Sequence, residues 1–113
     1  MEDAFEDLLR LIGEAARGWH NECLVTTRAY LRLADKAARK LVANAIDEDE
    51  EKRLLRCCEY SEKYCRRQPK WESVVHFMNR FWMGVEDGFF EKTFRSRGGK
   101  LYEHGYKMGR YSA

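Results

Sequence analysis

A chain of 113 residues is long enough for one domain with a single modest core, and its 44% hydrophobic content argues against disorder. No apolar run approaches the ~20 residues that a membrane-spanning helix requires, and the acidic first seven residues differ from the basic start of a secretory signal. We therefore expect a single helical domain over residues 1–113, located in the cytoplasm and without a membrane contact.

The formal net charge of +2 conceals an uneven distribution of charge along the chain. Residues 1–52 carry 12 acidic and 8 basic side chains, a net charge of −4, whereas residues 53–113 carry 7 acidic and 13 basic ones, a net charge of +6. Such asymmetry can mark an electrostatic binding face. The halves can equally neutralise each other within the fold, and the sequence leaves both interpretations open.

The N-terminal region predicts two amphipathic helices. Apolar residues recur at steps of three and four along it, at Phe5, Leu8, Ile12, Ala16, Trp19 and Cys23, and again at Tyr30, Ala34, Ala37, Leu41 and Ala45. We place the break between Gly18 and Asn21, where Gly18 would end the first helix and Asn21 would cap the second. One bent helix over residues 4–45 is the alternative.

A third helix is predicted from the acid run at residues 47–51, with Asp47 as its N-cap and the glutamates complementing the helix dipole. A metal site or nucleic-acid mimicry is the less favoured interpretation of that run. The helix should end at Arg66, Arg67 and Gln68, because basic residues followed by Pro69 form a stop signal.

A fourth helix should start near Lys70 with a broad apolar face from Trp71 to Phe89. Residues 95–100 form the clearest turn, and a short helix over 101–110 follows. No strand pattern is evident. The predicted fold is all-α, a compact bundle of four to five helices that ends in an aromatic/glycine helical hairpin.

That hairpin rests on a doubled motif, aromatic-x-x-Gly-x-x-x-Gly, which begins at Phe81 and again at Tyr102. A helix-interior glycine costs about 1 kcal/mol relative to alanine, so four of them need a reason, and the usual one is the close approach of another backbone. An antiparallel turn at residues 98 and 99 would place Gly88 opposite Gly109. We therefore predict a helix crossing built on Gly84, Gly88, Gly105 and Gly109.

The second copy of the motif also carries Tyr102, Gly105, Tyr106 and Gly109 as Tyr-x-x-Gly-Tyr-x-x-Gly. This resembles a short pattern in ribosome modulation factors, over about eight residues of the chain. The resemblance implies ribosome or RNA binding. Members of that family are shorter and more basic, so we do not assign the chain to it.

Catalytic and metal-binding patterns are weak. His20 and Cys23 share a helical face, but Cys57, Cys58 and Cys65 do not form the second close pair of a zinc signature. We expect the cysteines to be reduced and to act as small hydrophobic residues, and His76 to be a partly buried histidine rather than a base acting with Cys65 and Glu72. The sequence predicts no enzyme, no cofactor and no metal.

Binding is the remaining interpretation. Basic residues cluster at two helix junctions, with aromatic residues beside the second, and the predicted partner-binding residues are Arg66, Arg67, Lys70, Arg95, Arg97, Lys100, Tyr102 and Tyr106. Fifteen aromatic residues exceed what a core of this size obviously needs, and tyrosine, tryptophan and arginine are enriched at binding hot spots.

We therefore expect a small inhibitor or adaptor that docks on a protein or nucleoprotein complex. As a class analogy, phage proteins that block host defence complexes, including anti-CRISPR proteins, are often small helical chains of this kind. The alternative is a regulatory protein that binds RNA, DNA or the ribosome through its basic half. Homodimerisation is a further option that the sequence leaves open.

Overall fold

Five α-helices make up the computed structural model, which describes residues 2–111 and, at Glu2, the backbone only. The helices are α1 (Glu2–His20), α2 (Leu24–Ala43), α3 (Glu48–Arg67), α4 (Trp71–Phe89) and α5 (Lys100–Arg110). No strand occurs within that range. The predicted all-α bundle is confirmed, and its radius of gyration of 13.2 Å is that of a compact fold.

The break between α1 and α2 lies at residues 21–23, so the prediction of two helices is correct but the capping residues are not those expected. Cys23 is the N-cap of α2, and the chain turns through Glu22, whose φ of 56° is in the left-handed region. Gly18 remains inside α1. A Cβ there would lie 3.0 Å from the backbone nitrogen of Thr27, so Gly18 lets the first turn of α2 approach.

The ends of α3 are those that the sequence predicts. The side chain of Asp47 accepts a hydrogen bond of 2.8 Å from the backbone nitrogen of Glu50, and the Glu50 carboxylate accepts one of 2.8 Å from the backbone nitrogen of Ile46. This reciprocal arrangement satisfies backbone donors that a helix N-terminus leaves free. The helix ends at Arg67, before Pro69.

Aromatic side chains from α1 and α4 form part of the core, beside a larger number of aliphatic ones. The ring of Phe5 packs against those of Trp82, Phe89 and Phe90 at centroid distances of 5.5–6.4 Å. Phe77 and Phe81 lie stacked at 5.0 Å. Full burial of such a side chain contributes about 2–3 kcal/mol, so the aromatic residues that suggested a binding surface mostly stabilise the interior.

Helices α4 and α5 run parallel, and the predicted antiparallel arrangement is therefore wrong. A Cβ on Gly105 would contact Phe81, one on Gly109 would contact Val85, and residue numbers on both helices thus rise together. In an antiparallel pair one number would fall as the other rose. The offset of 21 residues between the two copies of the motif is the register of the pair.

All four glycines of the motif lie in this interface, as predicted. A Cβ at Gly84, Gly88, Gly105 or Gly109 would come closer than 3.0 Å to a carbonyl oxygen of the facing helix. Side chains are therefore absent from the contact, and backbone packs directly on backbone, which brings the two helices to a short axial separation.

The segment 90–99 connects the two parallel helices by running back along them. It leaves α4 through Glu91, with φ 54°, and the backbone nitrogen of Lys92 donates to the carbonyl of Asp87 at 2.7 Å. Further along, Arg95 reaches Met83, with 3.5 Å between Nη1 and Sδ. At the register of 21 residues, Gly99 lies opposite residue 78, so the segment returns by about three helical turns before Gly99, with φ 89°, starts α5.

We predict that Gly105→Ala lowers the free energy of unfolding by at least about 2 kcal/mol, because the new methyl group meets rigid backbone rather than a movable side chain. Gly13→Ala is the matched control, since a Cβ at Gly13 has nothing within 4 Å. The control should stabilise the protein by up to about 1 kcal/mol through helix propensity alone. Urea unfolding monitored by circular dichroism measures both, and equal effects would contradict the close crossing.

Candidate docking cleft

Tyr102, predicted as an exposed anchor, is fully buried, and that prediction is wrong. Its hydroxyl donates to a carboxylate oxygen of Asp87 at 2.5 Å and accepts a hydrogen bond of 3.2 Å from the backbone nitrogen of Arg95. Burial and the hydrogen bond to Asp87 raise the pKa of Tyr102 to about 12. Tyr102 therefore stabilises the fold through internal hydrogen bonds.

Arg95 is also part of this internal network. Its Nε lies 2.9 Å from the buried carboxylate of Asp87, although the arginine side chain is itself 60% exposed. A buried carboxylate needs such a partner, because an unpaired buried charge is strongly destabilising. Reversing Arg95 to Glu would place two carboxylates together, so this residue cannot be changed without affecting the fold.

The other predicted residues near the turn differ in their surroundings. Tyr106 is half-buried, and its hydroxyl donates to the carbonyl of Lys92 at 2.8 Å while its ring meets Phe94 edge-on. Arg97 and Lys100 are exposed. Among the predicted residues near the turn, Arg97 and Lys100 are therefore the two whose side chains are available to a partner.

We predict that Tyr102→Phe lowers the free energy of unfolding by about 1–3 kcal/mol, because it leaves the buried Asp87 with one hydrogen bond fewer. Tyr111→Phe, at a side chain that is 59% exposed, is the control and should change stability by less than about 0.5 kcal/mol. Thermal and chemical unfolding provide the comparison. A loss shared equally by both variants would argue against the internal role.

The second predicted group, Arg66, Arg67 and Lys70, is exposed where α3 meets α4. No hydrogen bond or ion pair of the described residues joins this group to Arg97 or Lys100. Helix α3 runs antiparallel to α5, with Arg53 on Gly109 and Tyr60 against His104, so the group lies toward the same end of the bundle as the start of α5. Arg66 pairs with Glu62 and lines a large cleft, which neither Arg97 nor Lys100 lines.

This cleft lies between α2, α3 and α4 and has a volume of about 910 Å³. Its floor is mostly apolar, with Leu31 from α2, Cys58 from α3, and Val74, Met78 and Trp82 from α4. The cleft forms because α2 packs mainly on α1, whereas α4 packs mainly on α5 and α1. The side of α4 that faces α2 is thereby left without a covering helix.

Two buried polar atoms belong to residues of this floor. Neither the hydroxyl of Ser61 nor the indole nitrogen of Trp82 has a hydrogen-bond partner among the described residues. Such groups are rare in folded proteins, since each costs about 1–3 kcal/mol.

Four arginines and two acidic residues form the polar rim of the cleft: Arg28, Arg32, Arg39, Arg66, Asp35 and Glu62. Glu62 pairs with both Arg66 and Arg39, the latter at 3.3 Å, and so links α3 to α2 across one edge. Arg28 lies over the ring of Trp71 at 5.4 Å. The rim thus carries an excess of two positive charges beside an apolar floor.

The thiols at the cleft are not poised for chemistry. Burial raises the pKa values of Cys58 and Cys65 to about 11, so both are protonated and behave as apolar groups at neutral pH. His76, expected to be partly buried, is exposed on α4. Within the described chain, no three His, Cys, Asp or Glu side chains converge closely enough to hold a metal ion.

Cys23 differs from the other cysteines, because it is exposed and its pKa is lowered by hydrogen bonding to Thr26. We predict that a thiol reagent at neutral pH modifies Cys23 rapidly in the native protein, while Cys57 reacts only on unfolding, since burial raises its pKa. Mass spectrometry of timed samples identifies the labelled peptides. Cys23→Ser should remove the fast phase, and fast labelling of Cys57 would contradict this packing.

Comparisons with known proteins do not identify the chain: no family model matches it, and no curated protein or solved structure is significantly similar to it. Over residues 2–111, none of the helices combines the length and apolar character needed to cross a bilayer. The class of this protein is therefore defined by its fold and its cleft alone, as an all-α bundle with an arginine-rimmed groove.

The sequence does not reveal this groove, because its members are far apart along the chain. Arg28 and Arg32, one turn apart on α2, resemble an ordinary solvated helix face. Of the rim, only Arg66 was among the predicted residues. The available signal was the pair Arg28 and Arg32 beside the apolar Leu31. This pair by itself does not show which helix lies opposite α2.

Proposed function

We propose that this protein is a non-catalytic interaction protein, an inhibitor or adaptor that docks on a protein or nucleoprotein assembly through the cleft between α2, α3 and α4. The observation that carries the proposal is the combination of an apolar floor and an arginine rim in one groove. Apolar centres with polar rims are the usual anatomy of protein interfaces, and arginine is enriched there.

The proposal keeps the class expected from the sequence and changes the surface. The aromatic/glycine motif and Arg95 are engaged in internal contacts, which removes them as principal anchors. Inhibition of a host defence assembly by a phage-type protein, as anti-CRISPR proteins do, is one function within this class. It rests on analogy, as does a location in the cytoplasm.

Nucleic-acid or ribosome binding is the second candidate. It is favoured by the exposed basic side chains at Arg67, Lys70, Arg97 and Lys100, which lie outside the cleft. The tyrosines and glycines that resemble the ribosome modulation factor pattern serve the α4–α5 contact, so they lend this candidate no support. Treatment with nuclease separates the two candidates.

We predict that Asp35→Trp, which places an indole at the cleft mouth, removes a protein partner captured from a lysate of the encoding organism. Asp35 is an exposed residue of the rim, so the bundle should tolerate the change. Asp35→Asn is the matched control that alters charge without filling the cleft, and Arg97→Glu with Lys100→Glu tests the other surface. Quantitative mass spectrometry, with and without nuclease, measures how much of each partner every variant captures.

A partner that survives nuclease, is lost with Asp35→Trp and is retained with Asp35→Asn would support docking at the cleft. Retention of every partner by Asp35→Trp would refute the cleft as the site. Partners that disappear with nuclease, or with the substitutions at Arg97 and Lys100, would favour the nucleic-acid candidate.

A further inference from the structure

We propose that the occupant of the cleft is an acidic amphipathic α-helix from a partner protein, lying lengthwise in the groove. This inference rests on the proposed function and adds the chemistry of the partner. The geometry of the three lining helices, the charges on the rim and the apolar floor support it.

The groove has the shape of a missing helix. Each lining helix contributes a stripe at helical spacing: Leu31, Asp35 and Ala38 from α2, Cys58, Ser61 and Cys65 from α3, and Val74, Met78 and Trp82 from α4. Each stripe covers eight or nine residues, hence about 11–12 Å at 1.5 Å per residue. Three such stripes around an empty centre resemble a four-helix bundle lacking its fourth member.

The groove is also open along its α2 side. Arg28, Arg32, Asp35 and Arg39 follow one another along that rim over about 16 Å, and all four are exposed. A small-molecule site normally encloses most of its ligand. A trough of this length with one exposed side suits a helix, whose apolar face is covered while its polar face stays in water.

Charge determines which helix fits. Arg39 and Arg66 share the carboxylate of Glu62, but within residues 2–111 neither Arg28 nor Arg32 has a carboxylate within 4 Å. These two guanidinium groups are one turn apart on α2. Glutamate or aspartate residues one turn apart on a facing helix would meet them, and arginine pairs with carboxylates by charge-assisted hydrogen bonds.

The same rim disfavours a nucleic-acid strand. Asp35 and Glu62 lie among the arginines, where they would repel a continuous phosphate backbone. Trp82 in the floor is completely buried. The guanidinium of Arg28 already lies over the half-buried ring of Trp71, 5.4 Å from its centroid, so a base would have to displace it in order to stack there. A helix with separated acidic side chains and an apolar stripe avoids both problems.

The test uses three synthetic helical peptides of about 18 residues, long enough to overlap the whole groove. The first has leucine at every third or fourth position and glutamate beside it, the second replaces each glutamate with lysine, and the third replaces each leucine with serine. Fluorescence anisotropy of labelled peptide measures binding to the full chain at low and high salt. Circular dichroism verifies that each protein variant is folded.

We expect the acidic amphipathic peptide to bind at least about tenfold more tightly than either of the other two, and more weakly as salt rises. The double variant Arg28→Glu with Arg32→Glu should weaken it at least about tenfold, and Arg28→Gln with Arg32→Gln by less. Asp35→Trp should abolish binding. Arg97→Glu with Lys100→Glu should leave it unchanged, because those residues lie outside the cleft.

Failure of this inference can be distinguished from failure of the proposed function. If Asp35→Trp loses its cellular partner but the wild-type protein shows no preference for the acidic peptide, the cleft docks something other than an acidic helix. If a single-stranded oligonucleotide competes through Arg28 and Arg32, the occupant is nucleic acid. If light scattering reveals a dimer that Asp35→Trp dissociates, the occupant is a second copy of this chain; each of these results overturns the inference.

Discussion

The structure depends on one contact, the backbone-to-backbone packing of α4 against α5 across four glycines. Because no side chain separates the helices there, their register is fixed by the backbone atoms themselves. A parallel register obliges the connecting segment to return along the pair, which brings Arg95 and Tyr102 together on Asp87. The buried carboxylate therefore obtains its partners as a consequence of the crossing, and α5 becomes an integral part of the fold.

Helix α4 contributes to both the glycine crossing and the cleft. One of its sides is covered by α5, another packs on the aromatic side chains of α1, and the side bearing Val74, Met78 and Trp82 lies at the floor of the cleft. The most distinctive sequence motif thus stabilises the fold, while the cleft is assembled from ordinary residues on three helices. The guanidinium of Arg53 donates to the carbonyl of Gly109 at 2.7 Å and so ties α3 to the end of α5.

The sequence predicted the helices well, because periodicity, the Asp47 cap and the stop at Pro69 are local signals. It could not predict the direction of α5. Gly88 and Gly109 lie at equal distances from the turn at residues 98 and 99, which fits an antiparallel crossing. They are also 21 residues apart, the offset between the two copies of the motif, which fits a parallel one. The burial of Tyr102 was missed for a related reason, since its partner Asp87 is recognisable only once the register is known. The cleft was missed because it requires knowing which side of α4 remains uncovered.

The four-residue spacing of the glycines makes the pairing of α4 and α5 discontinuous. Sliding α5 by one turn along α4 would bring Gly109 to Gly84 but would move Gly105 to a part of α4 that has no glycine, so a side chain would enter the contact. In the observed register the hydroxyl of Tyr102 donates to Asp87 at 2.5 Å. The glycines thus restrict α4 and α5 to a few discrete registers. The hydrogen bond from the Tyr102 hydroxyl to Asp87 stabilises the observed one.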